Sequence, residues 1–290
     1  MNQDHKFIDM HIHTNYSDGA FSPTEVIEYA SKVELLAISI TDHDCVSGID
    51  EALSVAKKNN IEVIPGIELS CQVENCLQKM EMHILGYFID YKSKKLQNIL
   101  STFKQTRYAR ALTILDKLKE HNIVFKDKIF IQNAQNQSIG RLHFAKALVM
   151  EGFVGSVQEA FQRYLSYDKP AYVPKHYMSP IEAIELILSV GGLPVMAHPY
   201  YMHYNDKDML KNLVDNGLAG IEVWHVKHTD GLVKKLLALA REFNLIVTGG
   251  SDCHGPFKKD IPTMGRIKVP YYVLDELKVA NQKQSNKLMI

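Results

Sequence analysis

The chain opens its first strand-like run with Phe7-Ile8-Asp9-Met10 and ends it with His11-Ile12-His13, and Asp18 follows five residues later. Alternate residues of a strand point to the same side of a sheet. His11 and His13 therefore project together, as two nitrogen ligands of one metal ion would. A single pair of this kind is weak evidence, but the pattern recurs along the chain.

Five later apolar runs also end in a histidine, an aspartate or a glutamate, at the point where a buried strand would meet a loop. They close with Thr41-Asp42-His43, Pro65-Gly66-Ile67-Glu68, Glu81-Met82-His83, Met196-Ala197-His198 and Gly250-Ser251-Asp252-Cys253-His254. Imidazole and carboxylate ligands together suit Zn, Mn or Fe better than Mg or Ca alone. The pattern predicts a cluster of metal ions.

A structural interpretation exists for each of these residues taken alone. A histidine at a strand end is more often a hydrogen-bonded structural residue, and Asp18 or Asp252 alone would indicate a cap or a turn. Nine residues with the same placement favour metal binding instead. His225 and His228 follow the run 219–225, so we expect them to line the same pocket. Cys253 is expected to point into the core.

The composition is that of an ordinary globular protein. The 290 residues are 46% hydrophobic and 23% charged, with a formal net charge of zero, and they suffice for one large α/β domain or two small ones. A neutral chain is not expected to offer a long nucleic-acid groove, whereas a small phosphorylated ligand remains compatible. The four cysteines lack zinc-knuckle spacing and indicate free thiols in a reducing compartment.

The chain shows no sign of a membrane-bound or secreted protein. Its first nine residues are mostly polar or charged, and no run of about 18 apolar residues exists. We therefore expect a cytoplasmic protein, a monomer, without a membrane span.

Seven short, apolar and β-branched runs predict strands that are covered on both faces, as parallel strands are. Helical runs separate most of them, and three begin at capping boxes that start at Ser22, Ser156 and Ser179. This alternation predicts βα units that close into a barrel or a doubly wound sheet. In a parallel barrel the ligand motifs would converge on the C-terminal face. The runs are 6–10, 35–41, 61–69, 80–88, 193–198, 219–225 and 244–250.

The alternation breaks between about 93 and 168, where helix follows helix. We interpret this break as a helical insertion, 99–167, between two parts of an α/β core, 1–98 and 168–290. The insertion is expected to form a lid over the ligand face, with Arg141 pointing towards the metals.

The ligand motifs, in this order, resemble those of the polymerase and histidinol phosphatase (PHP) superfamily of metal-dependent phosphoesterases. The resemblance implies a distorted (β/α)7 barrel, in agreement with the seven runs. The matching motifs are His11-Ile12-His13 with Asp18, Thr41-Asp42-His43, Gly66-Ile67-Glu68, His83-Ile84-Leu85-Gly86, Ala197-His198-Pro199 and Ser251-Asp252-Cys253-His254.

The same resemblance implies two or three divalent transition metals (Mn, Fe or Zn) and a metal-bound hydroxide that attacks phosphorus without a protein nucleophile. Glu68 would bridge two of the metals. The implied ligands are His11, His13, Glu68 and Asp252 for a first metal, Glu68, His83 and His198 for a second, and Asp18, His43 and His254 for a third.

Two segments resemble the branch of this superfamily labelled TrpH-like: Gly140-Arg141-Leu142-His143-Phe144-Ala145-Lys146-Ala147-Leu148 and Lys169-Pro170-Ala171-Tyr172-Val173. Members of that branch remove the 3′-phosphate of nucleoside 3′,5′-bisphosphates, and some trim short RNA from the 5′ end. The resemblance implies that Arg141 and Lys169 bind substrate phosphate, Arg as a fork and Lys as a point charge. Tyr200 and Tyr201 follow Pro199 where relatives often have Gly-Arg, so Tyr200 is a candidate to line the pocket and stack on a base.

We therefore predict a metal-dependent phosphoesterase that acts on a small nucleotide or short RNA. One alternative is a histidinol-phosphate phosphatase, although a substrate with a single phosphate gives Arg141 and Lys169 little to bind. An alternative of another class is a non-catalytic, metal-binding regulatory module. The complete set of ligands argues against that module.

Overall fold

A computed structural model of the protein describes residues 6–74, 79–126, 138–175, 177–199, 206–256 and 260–288. The chain divides into two compact units. The first combines Met1–Gln97 with Tyr177–Ile290, and the second is Asn98–His176. The second unit contains the whole of the predicted insertion, 99–167.

The first unit is built on a mixed sheet of eight strands. In spatial order the strands run β7-β6-β5-β4-β3-β2-β1-β8. Their bounds are β1 (Phe7–Ile12), β2 (Leu35–Ile40), β3 (Glu62–Glu74), β4 (Lys79–Tyr87), β5 (Leu193–Met196), β6 (Gly220–His225), β7 (Ile246–Gly250) and β8 (Val269–Pro270).

The sheet nearly closes into a barrel, because the segment that follows β7 returns to β1. The backbone N–H of Ser251 donates to Oδ1 of Asp9 at 2.8 Å. The N–H of His13 donates to the carbonyl of Cys253 at 2.9 Å. The predicted α/β barrel is confirmed, with β8 as a short additional strand beside β1.

Strand β4 departs from the parallel arrangement that the sequence predicts. It pairs antiparallel with both β3 and β5. Strand β3 continues beyond Glu68 and forms a long hairpin with β4, in which Ser70 lies opposite His83. The expectation that every ligand motif ends a parallel strand is therefore wrong for Glu68 and His83, which lie inside β3 and β4 where the two strands pair antiparallel. Both residues still reach the cluster because the hairpin extends past the end of β2.

Helices surround the sheet and make up most of the second unit, and their predicted caps form in large part. Ser22 and Ser179 each complete a capping box with the glutamate three residues later. Ser156 caps the N–H of Glu159, but the Glu159 carboxylate accepts from Gly155 instead. The helices are α1 (Pro23–Lys32), α2 (Ile49–Asn59), α3 (Lys94–Glu120), α4 (Arg141–Met150), α5 (Val157–Ala160), α6 (Pro180–Ser189), α7 (Lys207–Asp215), α8 (Asp230–Glu242) and α9 (Tyr272–Leu288).

Two apolar clusters hold the first unit together. One packs Ile8 of β1 with Leu277 of α9, and the other packs Ile38 of β2 with Val26 of α1. Strand alternation turns the polar residues of β1 to the face opposite Ile8. Among the described residues, Cys45, Cys71 and Cys253 are buried cysteines that belong to no disulfide, whereas Cys76 lies outside the described residues.

The second unit is helical and is fixed by two buried arginines of α3. Arg107 donates to the carbonyl of Ile139 at 3.2 Å, and Arg110 donates to the carbonyl of Val173 at 2.9 Å. A π-helical turn, Phe161–Leu165, follows α5. In the part of the chain that the structure describes, no helix is both long and apolar enough to cross a membrane.

Candidate metal centre

The structure brings the nine predicted ligands together at one rim of the first unit. They come from β1 and the loop after it, from the residues that follow β2, β5 and β7, and from the middle of the β3–β4 hairpin. We call these nine residues the ligand cluster: His11, His13, Asp18, His43, Glu68, His83, His198, Asp252 and His254.

Glu68 lies at the centre of the ligand cluster and is fully buried. Its Oε1 atom lies 2.7 Å from Nδ1 of His83 and 2.9 Å from Nε2 of His198. Its Oε2 atom lies 3.0 Å from Nδ1 of His43 and 3.2 Å from Nε2 of His13. Each oxygen thus faces a different set of imidazoles, which is the arrangement of a carboxylate that bridges two metals.

Three subsets of the cluster each place one ligand atom per residue within 4.8 Å of one another. The first subset is the one that the resemblance implies for a first metal. The second has His43 where the resemblance has His198, and Nε2 of His198 lies 3.3 Å from Nδ1 of His83. The third adds His13 to the implied set. The subsets are His11, His13, Glu68 and Asp252; His43, Glu68 and His83; and His13, Asp18, His43 and His254.

The ligand cluster has a buried base and a more accessible side. The side chains of His11 and His13 are fully buried, whereas that of His254 is 26% exposed. On the accessible side, Nε2 of His254 lies 3.2 Å from Oδ1 of Asp18. A small ligand can therefore approach the cluster from the side of His254.

Several buried ligand atoms have no ordinary hydrogen-bond partner. Among the described residues, Nδ1 of His13, Nδ1 of His43 and Oε2 of Glu68 are all buried without a hydrogen bond of acceptable geometry. Buried polar atoms nearly always have such a partner. Buried nitrogen and oxygen atoms that converge in this way suit divalent metal ions, and mixed nitrogen and oxygen donors fit Zn, Mn or Fe.

The charges of the cluster depend on one another. Burial alone would lower the pKa of His13, but Asp252 and Glu68 outweigh it and raise that pKa to about 10. Burial would also lower the pKa of His83, but the Glu68 carboxylate outweighs this effect and raises that pKa to about 9. Burial would raise the pKa of Glu68, but His43 and His83 hold it well below its usual range. The Glu68 carboxylate is thus ionised, the state in which a carboxylate can bind a metal ion.

Unusual backbone geometry occurs at two ligands and at one glycine. His198 has φ +23° and Asp252 has φ +51°, in the left-handed region that non-glycine residues rarely adopt. At Gly250, a Cβ atom would overlap Cβ of His11. Only glycine allows β7 to approach β1 closely enough to bring Asp252 to His11.

Three buried carboxylates that support the predicted ligands are not among the residues predicted from the sequence. Glu222 of β6 contacts His11 and His198. Asp9 accepts from the N–H groups of Ser251 and His11, and burial raises its pKa to about 6. Strand alternation places Asp9 on the side of His11, so this signal was present in the sequence. For Glu222, no local signal exists.

The third missed carboxylate, that of Asp42, organises the loop between His13 and Asp18. It accepts from the backbone N–H of Thr14 at 2.7 Å, from the Thr14 hydroxyl at 2.6 Å and from the Ser17 hydroxyl. These bonds fix the turn that carries Asp18 back towards His13.

The predicted pocket residues lie at different places. His225 is buried, with Nε2 3.5 Å from Oδ2 of Asp252, and its Nδ1 accepts from the N–H of Lys227 at 3.2 Å. The ring of His228 lies 5.1 Å from the ring of His225, and its Nδ1 pairs with the carbonyl of Val223 at 2.8 Å. Tyr200 lies outside the described residues.

Arg141 and Lys169 belong to the second unit. Arg141 begins α4 and donates to the carbonyl of Leu165 at 3.4 Å. Its guanidinium carbon lies 5.8 Å from the ring centres of both Phe161 and Tyr172. The side chain of Lys169 is exposed. A role of these cations in phosphate binding remains a prediction.

Comparisons with known proteins agree with this geometry. A 5′-3′ exoribonuclease of Haemophilus influenzae is 35% identical over 263 residues, which cover 87% of this chain and 91% of that protein. A 3′,5′-nucleoside bisphosphate phosphatase of Chromobacterium violaceum is 32% identical over 258 residues, which cover 86% of this chain and 87% of that protein.

A crystal structure from Bifidobacterium adolescentis, assigned as a metal-dependent phosphoesterase, superimposes with a TM-score of 0.83 at 27% identity. The superposition covers 94% of this chain and 96% of the other. Residues 9–245 match the PHP domain family. The chain therefore belongs to the PHP domain family and is a phosphoester hydrolase.

Proposed function

We propose that the ligand cluster holds two or three divalent transition metal ions, Mn, Fe or Zn, and that the chain removes the 3′-phosphate of nucleoside 3′,5′-bisphosphates. The observation that supports the metal centre is that the two oxygens of Glu68 contact different histidines. Its Oε1 faces His83, and its Oε2 faces His43 and His13. A carboxylate so placed serves two ions at once.

Residues of the ligand cluster would bind the metal ions and leave one side open to the substrate phosphate. His11, His13 and Glu68 form a fully buried base that fixes the ligand positions, while His254 borders the side from which a phosphate would approach. Metal ions held there would neutralise phosphoryl oxygens and lower the pKa of a coordinated water. Asp42 keeps Asp18 in place through Thr14 and Ser17.

The names of the relatives support a nucleotide substrate. The C. violaceum relative is a phosphatase of nucleoside 3′,5′-bisphosphates, and the H. influenzae relative is an exoribonuclease. We propose the bisphosphate as the main substrate and short RNA, attacked from the 5′ end, as a second. The compared relatives do not favour histidinol phosphate, and membership of a hydrolase family argues against a non-catalytic module.

We further propose that Arg141 and Lys169 bind the phosphate that does not react. The planar guanidinium of Arg can pair with two phosphate oxygens at once, and Lys adds a compact charge. Arg141 lies near the rings of Phe161 and Tyr172, which restricts its motion and favours a defined orientation.

A phosphate-release assay with Mn2+ tests the activity. The substrates are a nucleoside 3′,5′-bisphosphate, a nucleoside 5′-monophosphate, a short 5′-phosphorylated RNA and histidinol phosphate. For the RNA, the release of mononucleotides is followed by chromatography, because cleavage of a phosphodiester frees no inorganic phosphate. We expect the bisphosphate to give the highest kcat/KM. A preference for histidinol phosphate, or no release from any substrate by a metal-loaded protein, would contradict the proposal.

Arg141→Ala tests the second phosphate, with Arg163→Ala as the matched control. Arg163 also stacks on a tyrosine, Tyr164, but is exposed and paired with Glu159. A charge-assisted contact contributes about 1.5–3 kcal/mol, so Arg141→Ala should lower kcat/KM for the bisphosphate roughly 10–150-fold, mostly through KM. The monophosphate should be affected much less. Equal losses for both substrates would argue against this role, because a folding defect affects both substrates alike.

A further inference from the structure

We infer that Glu222 is a positioning residue of the metal centre, which fixes the ring of His11 and the backbone of His198 with one carboxylate. The inference rests on the proposed metal-binding function and adds a residue outside the ligand cluster.

The first contact selects which nitrogen of His11 faces the other ligands. Oε1 of Glu222 lies 3.1 Å from Nδ1 of His11. A carboxylate can only accept, so Nδ1 must carry a proton, and in the neutral imidazole that binds a metal ion Nε2 then keeps its lone pair. That Nε2 atom lies 3.3 Å from Oε2 of Glu68 and 3.5 Å from Oδ1 of Asp252. Glu222 therefore directs the metal-binding nitrogen of His11 into the first subset.

The second contact supports the strained backbone of His198. The N–H of His198 donates to Oε2 of Glu222 at 2.6 Å, and His198 adopts φ +23°. Such a conformation persists only where the surroundings enforce it. It brings Nε2 of His198 to 2.9 Å from Oε1 of Glu68. Loss of the Glu222 carboxylate would release the backbone that delivers this ring.

Burial makes both contacts effective. Glu222 is fully buried, as is His11, so water does not compete for either oxygen. Each carboxylate oxygen contacts a different histidine, and those two histidines approach different oxygens of Glu68. Replacing a residue that orients a metal-binding histidine typically lowers metal affinity about 10–100-fold.

The structure predicts a selective effect. Glu222 contacts His11 and His198, whereas Asp18 is held by contacts with His254 and through the Asp42 loop. Replacing Glu222 should therefore weaken the sites that use His11 and His198 and leave the site of Asp18, His43 and His254 able to bind. General destabilisation would not discriminate between the sites in this way.

The test is calorimetric titration of the metal-free chain with Zn2+ and with Mn2+, comparing wild type with Glu222→Gln. The amide NH2 group cannot accept, so Gln keeps at most one of the two bonds. We expect the dissociation constant of the weakened sites to rise about 10–100-fold. In the Zn2+-loaded protein, 15N NMR should show Nδ1–H of His11 in wild type and its loss or exchange in the variant.

The matched control is Glu51→Gln. The Glu51 carboxylate also accepts from one backbone N–H and one side chain, both of Thr24, but it connects α2 to α1. We expect unchanged metal affinity in that variant. Because removing a buried charge also threatens folding, Glu222→Asp is measured in parallel. Asp keeps the charge but is too short to reach both partners, so the same selective weakening is expected.

Two outcomes are distinguishable. If wild type binds metal and both Glu222 variants, folded by circular dichroism, match its affinities and stoichiometry, the positioning role of Glu222 is wrong and the metal centre stands. If wild type itself binds no metal, the proposed function fails, and this inference fails with it.

Discussion

The two oxygens of Glu68 meet different imidazoles, so a change at this residue is expected to disturb more than one ion. In Glu68→Gln the charge that faces His43, His83 and His13 is lost. Replacing even an indirect partner of a ligand costs about 10–100-fold in metal affinity, so the loss of a direct bridging ligand should exceed roughly 100-fold. Metal content measured by mass spectrometry after gel filtration should fall by at least one ion per chain.

Glu62→Gln is the matched control for that prediction. Glu62 lies on the same strand as Glu68, but its carboxylate accepts from the Tyr271 hydroxyl and from Lys278, and its side chain is 37% exposed. The same chemical change at this position should leave metal content close to that of wild type. Equal metal content in the Glu68 and Glu62 variants would refute the bridging role.

At the scale of single residues, the sequence predicts which side chains converge in the ligand cluster better than it predicts the residues that support them. His11 and His13 are visible because strand alternation is local, and Asp9 could have been found in the same way. Glu222 lies in Ile221-Glu222-Val223, an ordinary strand pattern, and its partner His11 is 211 residues away. Its role depends on packing between distant strands, which no local pattern contains.

Among the strands, the contact between β7 and β1 leaves no room for a side chain at Gly250. A Cβ atom there would lie 2.5 Å from the backbone N of His11 and 2.9 Å from Oδ1 of Asp9. Gly250→Ala should therefore push the strands apart. Overpacking of this kind typically costs about 1–3 kcal/mol, which chemical denaturation should detect, together with weaker metal binding.

Gly231→Ala provides the opposite expectation. Gly231 lies in the first turn of α8, and the nearest atom to an added Cβ would be Oγ1 of Thr229 at 4.0 Å. Gly→Ala at a compatible helical position stabilises a protein by about 0.4–1 kcal/mol. If both variants lost stability equally, the close approach of β7 and β1 would not be the cause at Gly250.

At the scale of elements, the seven predicted runs match β1 to β7, because short β-branched runs carry a clear signal. The direction of β4 could not be predicted, since an apolar run reads the same in parallel and antiparallel pairs. Strand β8 has two residues and offers no period at all. The half-formed box at Ser156 shows that a capping motif fixes the hydroxyl bond more reliably than the return bond.

For the whole molecule, metal binding and stability should be linked. Ions that bind only the folded chain raise its free energy of unfolding, by about 2.7 kcal/mol at a concentration 100 times the dissociation constant. Thermal unfolding of the metal-free protein should therefore shift upward with added Zn2+ or Mn2+ and return after chelation. Mg2+, which prefers oxygen ligands alone, should shift it less.

The two compact units make that prediction more specific. All nine ligands lie in the unit formed by Met1–Gln97 and Tyr177–Ile290. Tryptophan fluorescence of Trp224, in β6, reports on this unit and should follow the metal-dependent transition. A metal-independent transition monitored at Trp224 would contradict the assignment of the ions to the ligand cluster.

The closing contact between Asp9 and Ser251 joins residues 242 positions apart, and this separation has a kinetic consequence. Contacts between distant residues form late and slowly in folding. During synthesis, the early ligands His11 and His13 must wait for Asp252 and His254 to emerge before a complete site exists. Interactions that form after the rate-limiting step mainly slow unfolding. Bound ions would therefore lengthen the lifetime of the folded barrel by slowing its unfolding, and would change its folding rate far less.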